Sequence, residues 1–375
     1  MSKKIRVGII FGGRSGEHEV SLVSAESVIK AMDKSKYEII PIGITKEGIW
    51  ITRNQPLKIL KANKFKEFTS DQIITPDSTK KSLVTINKHF TTHNKINKNI
   101  DIIFPILHGT FGEDGTIQGL LELANIPYVG ANVLASAIGM DKVIQKQVFQ
   151  NIGLPIVSYI SFTTNDYKNR QSAINKQIST LGLPVFVKPA NLGSSVGISK
   201  VKKQNELASA IKYAGNFDNK IIIEKAVINP REIEIAVLGN ESPIASVPGE
   251  IIASNDFYDY DAKYIDGKSK DVIPAKLPNV VSNKIKTMAI KAFKAINCTG
   301  MARVDFLLGI NNKIFISELN TIPGFTKISM YPKLWQASGL PYAKLIDKLI
   351  KLGLERHKNR SKLLTSYKPK SKWYE

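Results

Sequence analysis

Apolar residues in this chain recur at two spacings, every second position in some stretches and every third or fourth in others, and the alternation marks out three successive units. Residues 5–11 form a short apolar run. The turn Gly12-Gly13-Arg14-Ser15-Gly16 follows, and then a helical pattern over 20–32. Strand, glycine turn and helix open a doubly wound α/β unit whose helix N-terminus favours anions. GxGxxG is absent, so the turn is not a dinucleotide fingerprint. Strands over 37–44 and 100–107 extend the sheet, and the second leads through His108–Gly115 into a helix over 116–124. Between them, residues 46–98 are polar, lysine-rich and irregular, an elaborated insertion with a few short strands. This first domain spans 1–140.

A second unit, 141–230, begins with Asp141 as N-cap of a helix through 149. A strand over 157–162, a helix over 168–181, two strands bracketing Gly193-Ser194-Ser195-Val196-Gly197, a helix over 204–213 and a strand over 220–224 complete an α+β unit. The third, 231–357, carries strands near 232–238 and 243–252 and a polar loop at 254–271. A helix over 281–297, a hairpin and a terminal helix over 340–353 follow, and a basic tail occupies 358–375. No internal repeat is present.

The hairpin carries the strongest chemical signal. Two period-2 runs flank Ile310-Asn311-Asn312-Lys313, a turn sequence. A turn centred on Asn311-Asn312 places Asp305 opposite Glu318 and Arg303 opposite Asn320, with opposed side chains ~5 Å apart. Phe306, Leu308, Ile314 and Ile316 take the other face, so that face is committed to the core and the polar square is not merely a solvated surface. Two carboxylates and an amide are hard oxygen donors suited to Mg²⁺ beside nucleotide phosphates. Arg303 suits charge developing on a phosphoryl or acyl centre. The turn Asn320-Thr321-Ile322-Pro323-Gly324 brings backbone amides within reach of a ligand.

Other features point the same way. The loop from Gly193 to Gly197 offers amides and hydroxyls to a phosphate, without the GKS/T and helix of a P-loop. Lys188 ends an apolar strand five residues earlier, where its ammonium needs an anion. Lys142 opens a helix. Backbone groups just past the strand 220–224 can pair with an adenine edge, and Glu232 is near enough to meet a ribose.

Composition narrows the reading further. At 375 residues, 43% hydrophobic and 23% charged, the chain is an ordinary globular protein of two or three domains. A net charge of +21 invites a nucleic-acid partner, but the lysines are scattered and only the tail is concentrated in them, so none is expected. One cysteine, Cys298, excludes an intramolecular disulfide and a cysteine zinc site. No apolar run approaches the ~18–20 residues of a membrane span, and the opening apolar run soon meets Arg14 and Glu17. A cytoplasmic location without membrane insertion is expected.

Together these parts resemble the ATP-grasp superfamily, and within it the D-alanine–D-alanine ligases. His108-Gly109-Thr110-Phe111-Gly112-Glu113-Asp114-Gly115-Thr116-Ile117-Gln118-Gly119 is similar to one signature of that family. Gly300-Met301-Ala302-Arg303-Val304-Asp305 with Glu318-Leu319-Asn320-Thr321-Ile322-Pro323-Gly324 is similar to another. The segment from Gly12 to Ser21 and the loop from Phe257 to Tyr264 also resemble the family. The resemblance implies an ATP-grasp fold with a Rossmann-like N-terminal domain. It implies ATP-dependent joining of two D-alanines through a D-alanyl phosphate, for cell-wall peptidoglycan.

The resemblance also implies roles. Glu17 would hold the ammonium of the first D-alanine, linked to Ser194 and Tyr264, and His108 would lie nearby. Lys142, Lys188, Ser194 and Ser195 would contact ATP phosphates. Glu224, Lys225 and Val227 would meet the adenine, and Glu232 the ribose. Asp305, Glu318 and Asn320 would bind two Mg²⁺ ions, for which Mn²⁺ is a possible substitute. Arg303 and the Gly324 amide would stabilise the oxyanion. Lys263, Ser329 and the Met330 amide would receive the second D-alanine. A homodimer is expected on the same ground. The alternatives are a D-alanine–D-lactate ligase of the same fold, against which the intact Lys263-Tyr264 pattern argues, and a catalytically silent ATP- or nucleic-acid-binding protein.

Overall fold

The computed structural model describes residues 3–52, 55–63, 70, 72–85, 96–252 and 270–367. The first unit is built on strand Ile5–Gly12, where Val7, Ile9, Ile10 and Phe11 are all fully buried. Burial on both faces is the signature of a central parallel strand. It pairs in parallel with Tyr37–Ile44 on one side and Ile102–Ile106 on the other, and Trp50–Ile51 closes one edge antiparallel. Helix His18–Ala31 begins immediately after Glu17 and covers one face. Within the lysine-rich segment, Gln72–Ile74, Ser82–Thr85 and Ile96–Asn99 form a small antiparallel sheet, and Pro56–Lys61 is a short helix.

The second unit is a four-stranded antiparallel sheet in the order Ser199–Val201, Val185–Pro189, Lys220–Lys225, Tyr159–Thr163. Helices Thr164–Leu181 and Leu207–Ala214 pack onto it through a core of their own, centred on Ile174, Ile178, Ile211 and Ile223. Thr163 and Asp166 form a reciprocal capping box that starts the longer helix four residues before the expected 168.

The third unit is a six-stranded sheet. Its main path runs Lys270–Val272, Gly249–Ile252, Arg231–Gly239, Gly300–Leu308, Ile314–Asn320, with Ile244–Ala245 beside Arg231–Gly239. Helix Asn279–Ala295 covers one face through Ile285, Ala289 and Phe293. Phe149 and Leu154, from the start of the expected second unit, belong to this core. Cys298 is buried just beyond that helix, and burial pushes its thiol pKa up, as expected of an inert core residue. No described helix is long and apolar enough to cross a membrane.

Several expectations are corrected. Helix Val133–Met140 stands where the first unit was expected to end without one, capped by the Asn132 side chain on Ala135 N at 2.8 Å. The expected strand 243–252 is two short strands, and the strand Lys270–Val272 begins inside the loop expected over 254–271. A helix Met330–Ala337 precedes the terminal one, which runs Tyr342–Arg360, so the tail expected from 358 begins as helix. There Arg356 donates to Thr299 Oγ1 at 2.9 Å and to the carbonyl of Tyr128, and its guanidinium lies 4.1 Å from the centroid of the Tyr128 ring. That anchorage to the first unit is what extends the helix beyond its apolar stripe.

Candidate active site

The hairpin places the polar square as expected, by a different route. Asp305 pairs with Glu318 and Arg303 with Asn320. Nearer the turn the partners are Phe306–Ile316 and Leu308–Ile314, so the loop is centred on Asn311 alone, and the register recovers through a bulge at Ser317. Asn311 and Asn312 both adopt positive φ, which asparagine tolerates better than most residues. Phe306, Leu308, Ile314 and Ile316 are buried.

Arg303 grips Asp305 with two parallel hydrogen bonds of 2.7 Å and lies 3.0 Å from Glu234 on the neighbouring strand. Asn320 Nδ2 donates to Asp305 Oδ2 at 3.0 Å. Burial works to lower the Arg303 pKa, but Asp305 and Glu234 outweigh it and hold the guanidinium well above its ordinary range. Lys142 Nζ stands 3.7 Å from Glu318 and donates to the Leu192 carbonyl at 2.6 Å.

Lys188 lines a cavity of about 620 Å³ together with Arg303, Asp305 and Glu318. Burial lowers its pKa, and Glu224 and then Glu318 more than restore it, so it remains an ammonium. Ser194, Ser195, Lys225, Val227 and Glu232 also line the cavity. The exposed Lys225 donates its ammonium to the Leu181 carbonyl at 2.6 Å. Glu224, whose strand end is expected to meet the adenine, has its side chain held by two lysines. Its carboxylate lies between Lys188 at 2.6 Å and Lys146 at 2.7 Å. Burial alone would raise its pKa, but the charges of Lys146 and Lys188 bring it down to about 2.

This pair has a measurable consequence. A carboxyl depressed from 4.5 to about 2 contributes stability that is complete above pH 4.5 and is lost as pH falls toward 2. Glu224→Gln removes the carboxylate shared by buried Lys146 and partly buried Lys188 and is expected to cost about 3–5 kcal/mol at neutral pH. In chemical denaturation, the gap between wild type and variant is expected to shrink as pH falls through that window. A gap independent of pH would show that the pair is not the cause.

The glycine loop closes onto the first unit. Ser194 Oγ donates to Glu17 Oε1, joining residues that the sequence separates by 177 positions. A Cβ on Gly109 would lie 2.6 Å from Glu17 Oε2, and one on Gly193 would lie 2.7 Å from the same oxygen. Both glycines thus make room for that carboxylate. Ser194 and Ser195 hold φ of 51° and 59°, a left-handed conformation uncommon for serine and concentrated at ligand-handling loops.

His108 is buried, with Nδ1 3.1 Å from the Ile322 carbonyl and Nε2 3.1 Å from Ser24 Oγ. A carbonyl only accepts, so Nδ1 carries the proton. Burial lowers the pKa, partly offset by Glu17, and favours the neutral ring. Ser329 Oγ accepts from Thr326 N at 3.1 Å and lies 3.1 Å from where a Cβ on Gly324 would stand. Met330 opens the following helix and is buried. Lys263 and Tyr264, with the loop around them, lie outside the described residues.

Four residues of the site escaped the sequence reading. Lys146 and Gln145 lie on the buried stripe of helix Lys142–Asn151, and polar residues on such a stripe were the available signal. Glu234 shares a strand face with Glu232. Glu113 accepts from Gly109 N at 2.8 Å and Ile322 N at 3.2 Å, tying the His108 loop to the turn before Gly324. Burial, then the charge of Glu17, raises its pKa to about 8.

Comparison with known proteins agrees with this geometry. Two family models match, "D-ala D-ala ligase N-terminus" over residues 6–131 and "D-ala D-ala ligase C-terminus" over 148–351. The first match includes the lysine-rich segment. The chain is 49% identical to the D-alanine–D-alanine ligase of Natranaerobius thermophilus, over 97% of this chain and 99% of that protein. It is 50% identical to that of Caldicellulosiruptor bescii, over 97% and 98%. Among solved structures, the D-alanine–D-alanine ligase from Coxiella burnetii superposes with a TM-score of 0.81 at 38% identity, over 96% of this chain and 97% of the other. The VanG D-Ala:D-Ser ligase from Enterococcus faecalis gives 0.82 at 35%, over 94% and 100%.

Proposed function

The chain belongs to the D-alanine–D-alanine ligase family, and from that premise we propose that it joins two D-alanines at the cavity between Lys188 and the Arg303–Asp305–Glu318–Asn320 square. ATP drives the reaction, as throughout this ligase family, and the product supplies peptidoglycan synthesis. The observation that carries the site assignment is one cavity lined by the cations Lys142, Lys188 and Arg303 and by the carboxylates of Asp305 and Glu318.

The donor set fits Mg²⁺. Among the described residues no group of three or more His, Cys, Asp or Glu side chains forms a closed metal site. Two carboxylates and an amide at an open cavity suit an ion that completes its shell with phosphate oxygens and water. Asp305, Glu318 and Asn320 would hold two Mg²⁺ ions, or Mn²⁺, and bound metal would neutralise charge on the nucleotide phosphates.

The chain's own residues perform the rest. A carboxylate is a poor acyl donor. A carboxylate oxygen of the first D-alanine bonds to the γ-phosphorus of ATP as the bond to ADP breaks, leaving an acyl phosphate. Glu17, fixed by Ser194, holds that substrate's ammonium, and neutral His108 lies beside it. Lys142, Lys188 and the serine loop hold the phosphates, the 224–227 backbone the adenine and Glu232 the ribose. The second D-alanine, its carboxylate received by Ser329, the Met330 amide and Lys263, then bonds through its amine to the carbonyl carbon and gives up a proton to the departing phosphate. Arg303 and the Gly324 amide stabilise the oxyanion, which collapses with loss of phosphate. The Ser194 loop and Tyr264 exclude water, to which an acyl phosphate is vulnerable. A cytoplasmic setting and a homodimer complete the proposal.

The test is incubation of purified protein with ATP, Mg²⁺ and D-alanine, alone and with D-lactate or D-serine, with products weighed by mass spectrometry. D-alanyl-D-alanine with matching ADP release is expected in every mixture. A depsipeptide or D-alanyl-D-serine as the sole product would reassign the second substrate. No ADP from any mixture would overturn the ligase reading.

A further inference from the structure

The strand Ile314–Asn320 ends the main path of its sheet, so one side of its backbone faces away from strand neighbours. Such edges must be covered or paired, and here the cover is specific. Gln145 mimics a neighbouring strand. Its Nε2 donates to the Leu319 carbonyl and its Oε1 accepts from Leu319 N, both at 3.0 Å. Lys146 Nζ donates to the Ser317 carbonyl at 3.1 Å. Between those two residues lies Glu318, with Lys142 at 3.7 Å. The start of one helix therefore contacts three consecutive residues of the strand. Pro155 continues the cover by accepting from Ile316 N at 2.8 Å.

Gln145 is fully buried and Lys146 is 1% exposed. A buried ammonium is costly unless paired, and an apolar side chain would fill the same space without that cost. What the polar pair adds is a grip on the bulge. Ser317 is the extra residue that brings Glu318 opposite Asp305. Bulges re-aim side chains, and a one-residue slip would carry Glu318 to the other face. We propose that Gln145 and Lys146 are positioning residues that fix the bulge at Ser317 and so aim the Glu318 carboxylate into the cavity. Lys146 extends the grip to the strand Lys220–Lys225. Its second partner, Glu224, also pairs with Lys188, so the phosphate-facing lysine and the acid-bearing strand are held by one ammonium.

The inference rests on the nucleotide–metal reading of the cavity, and its test separates the two. Mn²⁺ binding to the ADP complex is read by electron paramagnetic resonance, and metal-free ADP binding by calorimetry, alongside the thermal midpoint. Wild type that binds no Mn²⁺ with ADP would overturn the site reading and this inference with it. Given wild-type binding, Gln145→Met is expected to weaken Mn²⁺ on the order of tenfold, as loss of a supporting residue behind a ligand does. Metal-free ADP affinity should stay unchanged. Lys146→Met is expected to weaken both, and turnover of Gln145→Met should recover at saturating Mn²⁺. Folded variants with lowered midpoints but wild-type Mn²⁺ binding would overturn the positioning role and leave only a structural one. Should Gln145→Met not fold, Gln145→Asn, whose amide is withdrawn by one methylene, carries the same expectation and the same contrary result.

Discussion

Glu318→Ala is expected to abolish dipeptide formation while leaving the protein folded. The Glu318 side chain is 28% exposed at the cavity, and its contact with Lys142 is 3.7 Å long. The fold gains little from so loose a pair. Its strand register depends on backbone partners and on the bulge grip, which alanine preserves. The loss therefore falls on chemistry. With no carboxylate at this position, the proposed metal site loses one of its two acids and part of the charge compensation at the nucleotide phosphates, and turnover should fall on the order of 10³-fold or more. The thermal midpoint should stay within about 4 °C of wild type. Both are read on one preparation, by ADP release and by calorimetry. Near-normal turnover would remove Glu318 from the metal assignment.

Glu318 also shows how far the sequence could be read. Its pairing with Asp305 was legible because period-2 alternation fixes which residues share a face, and an asparagine turn fixes roughly where the chain reverses. The bulge at Ser317 was not legible. It is offset by a loop one residue longer than expected, and the two departures cancel at Asp305. The strand positions and the glycine loop followed from local pattern in the same way. Gln145 and Lys146 did not, because their meaning lies in an edge strand more than 170 residues away. Glu224 was placed on the right strand, but its pairing with Lys146 was not legible, because that lysine lies on a helix distant in sequence. Helix Met330–Ala337 was missed because Pro332 interrupts its pattern, although proline is tolerated in a first turn. The contact of Ser194 with Glu17 came only from family resemblance, because nothing local to either residue encodes it.

Arg303→Met is expected to lose activity and stability together, which sets it apart from Glu318→Ala. Arg303 is partnered by Asp305 through two 2.7 Å bonds and by Glu234 at 3.0 Å. The Glu234 side chain is only 8% exposed. Removing the guanidinium takes the neutralising cation from both carboxylates, a change that costs about 3–5 kcal/mol for a buried pair. It also removes the cation proposed to stabilise the oxyanion, a loss of roughly 10²–10³ in rate. The two losses can be separated. Adding Glu234→Gln to Arg303→Met neutralises the more buried of the two acids, and part of the lost stability should return. Turnover should not, because an amide at 234 supplies no charge to the reacting centre. Unfolding in denaturant reads the first quantity, and ADP release from the folded fraction reads the second. If turnover returned together with stability, Arg303 would be acting only by holding Asp305 and Glu234 in place, and oxyanion stabilisation would fall to the Gly324 amide alone.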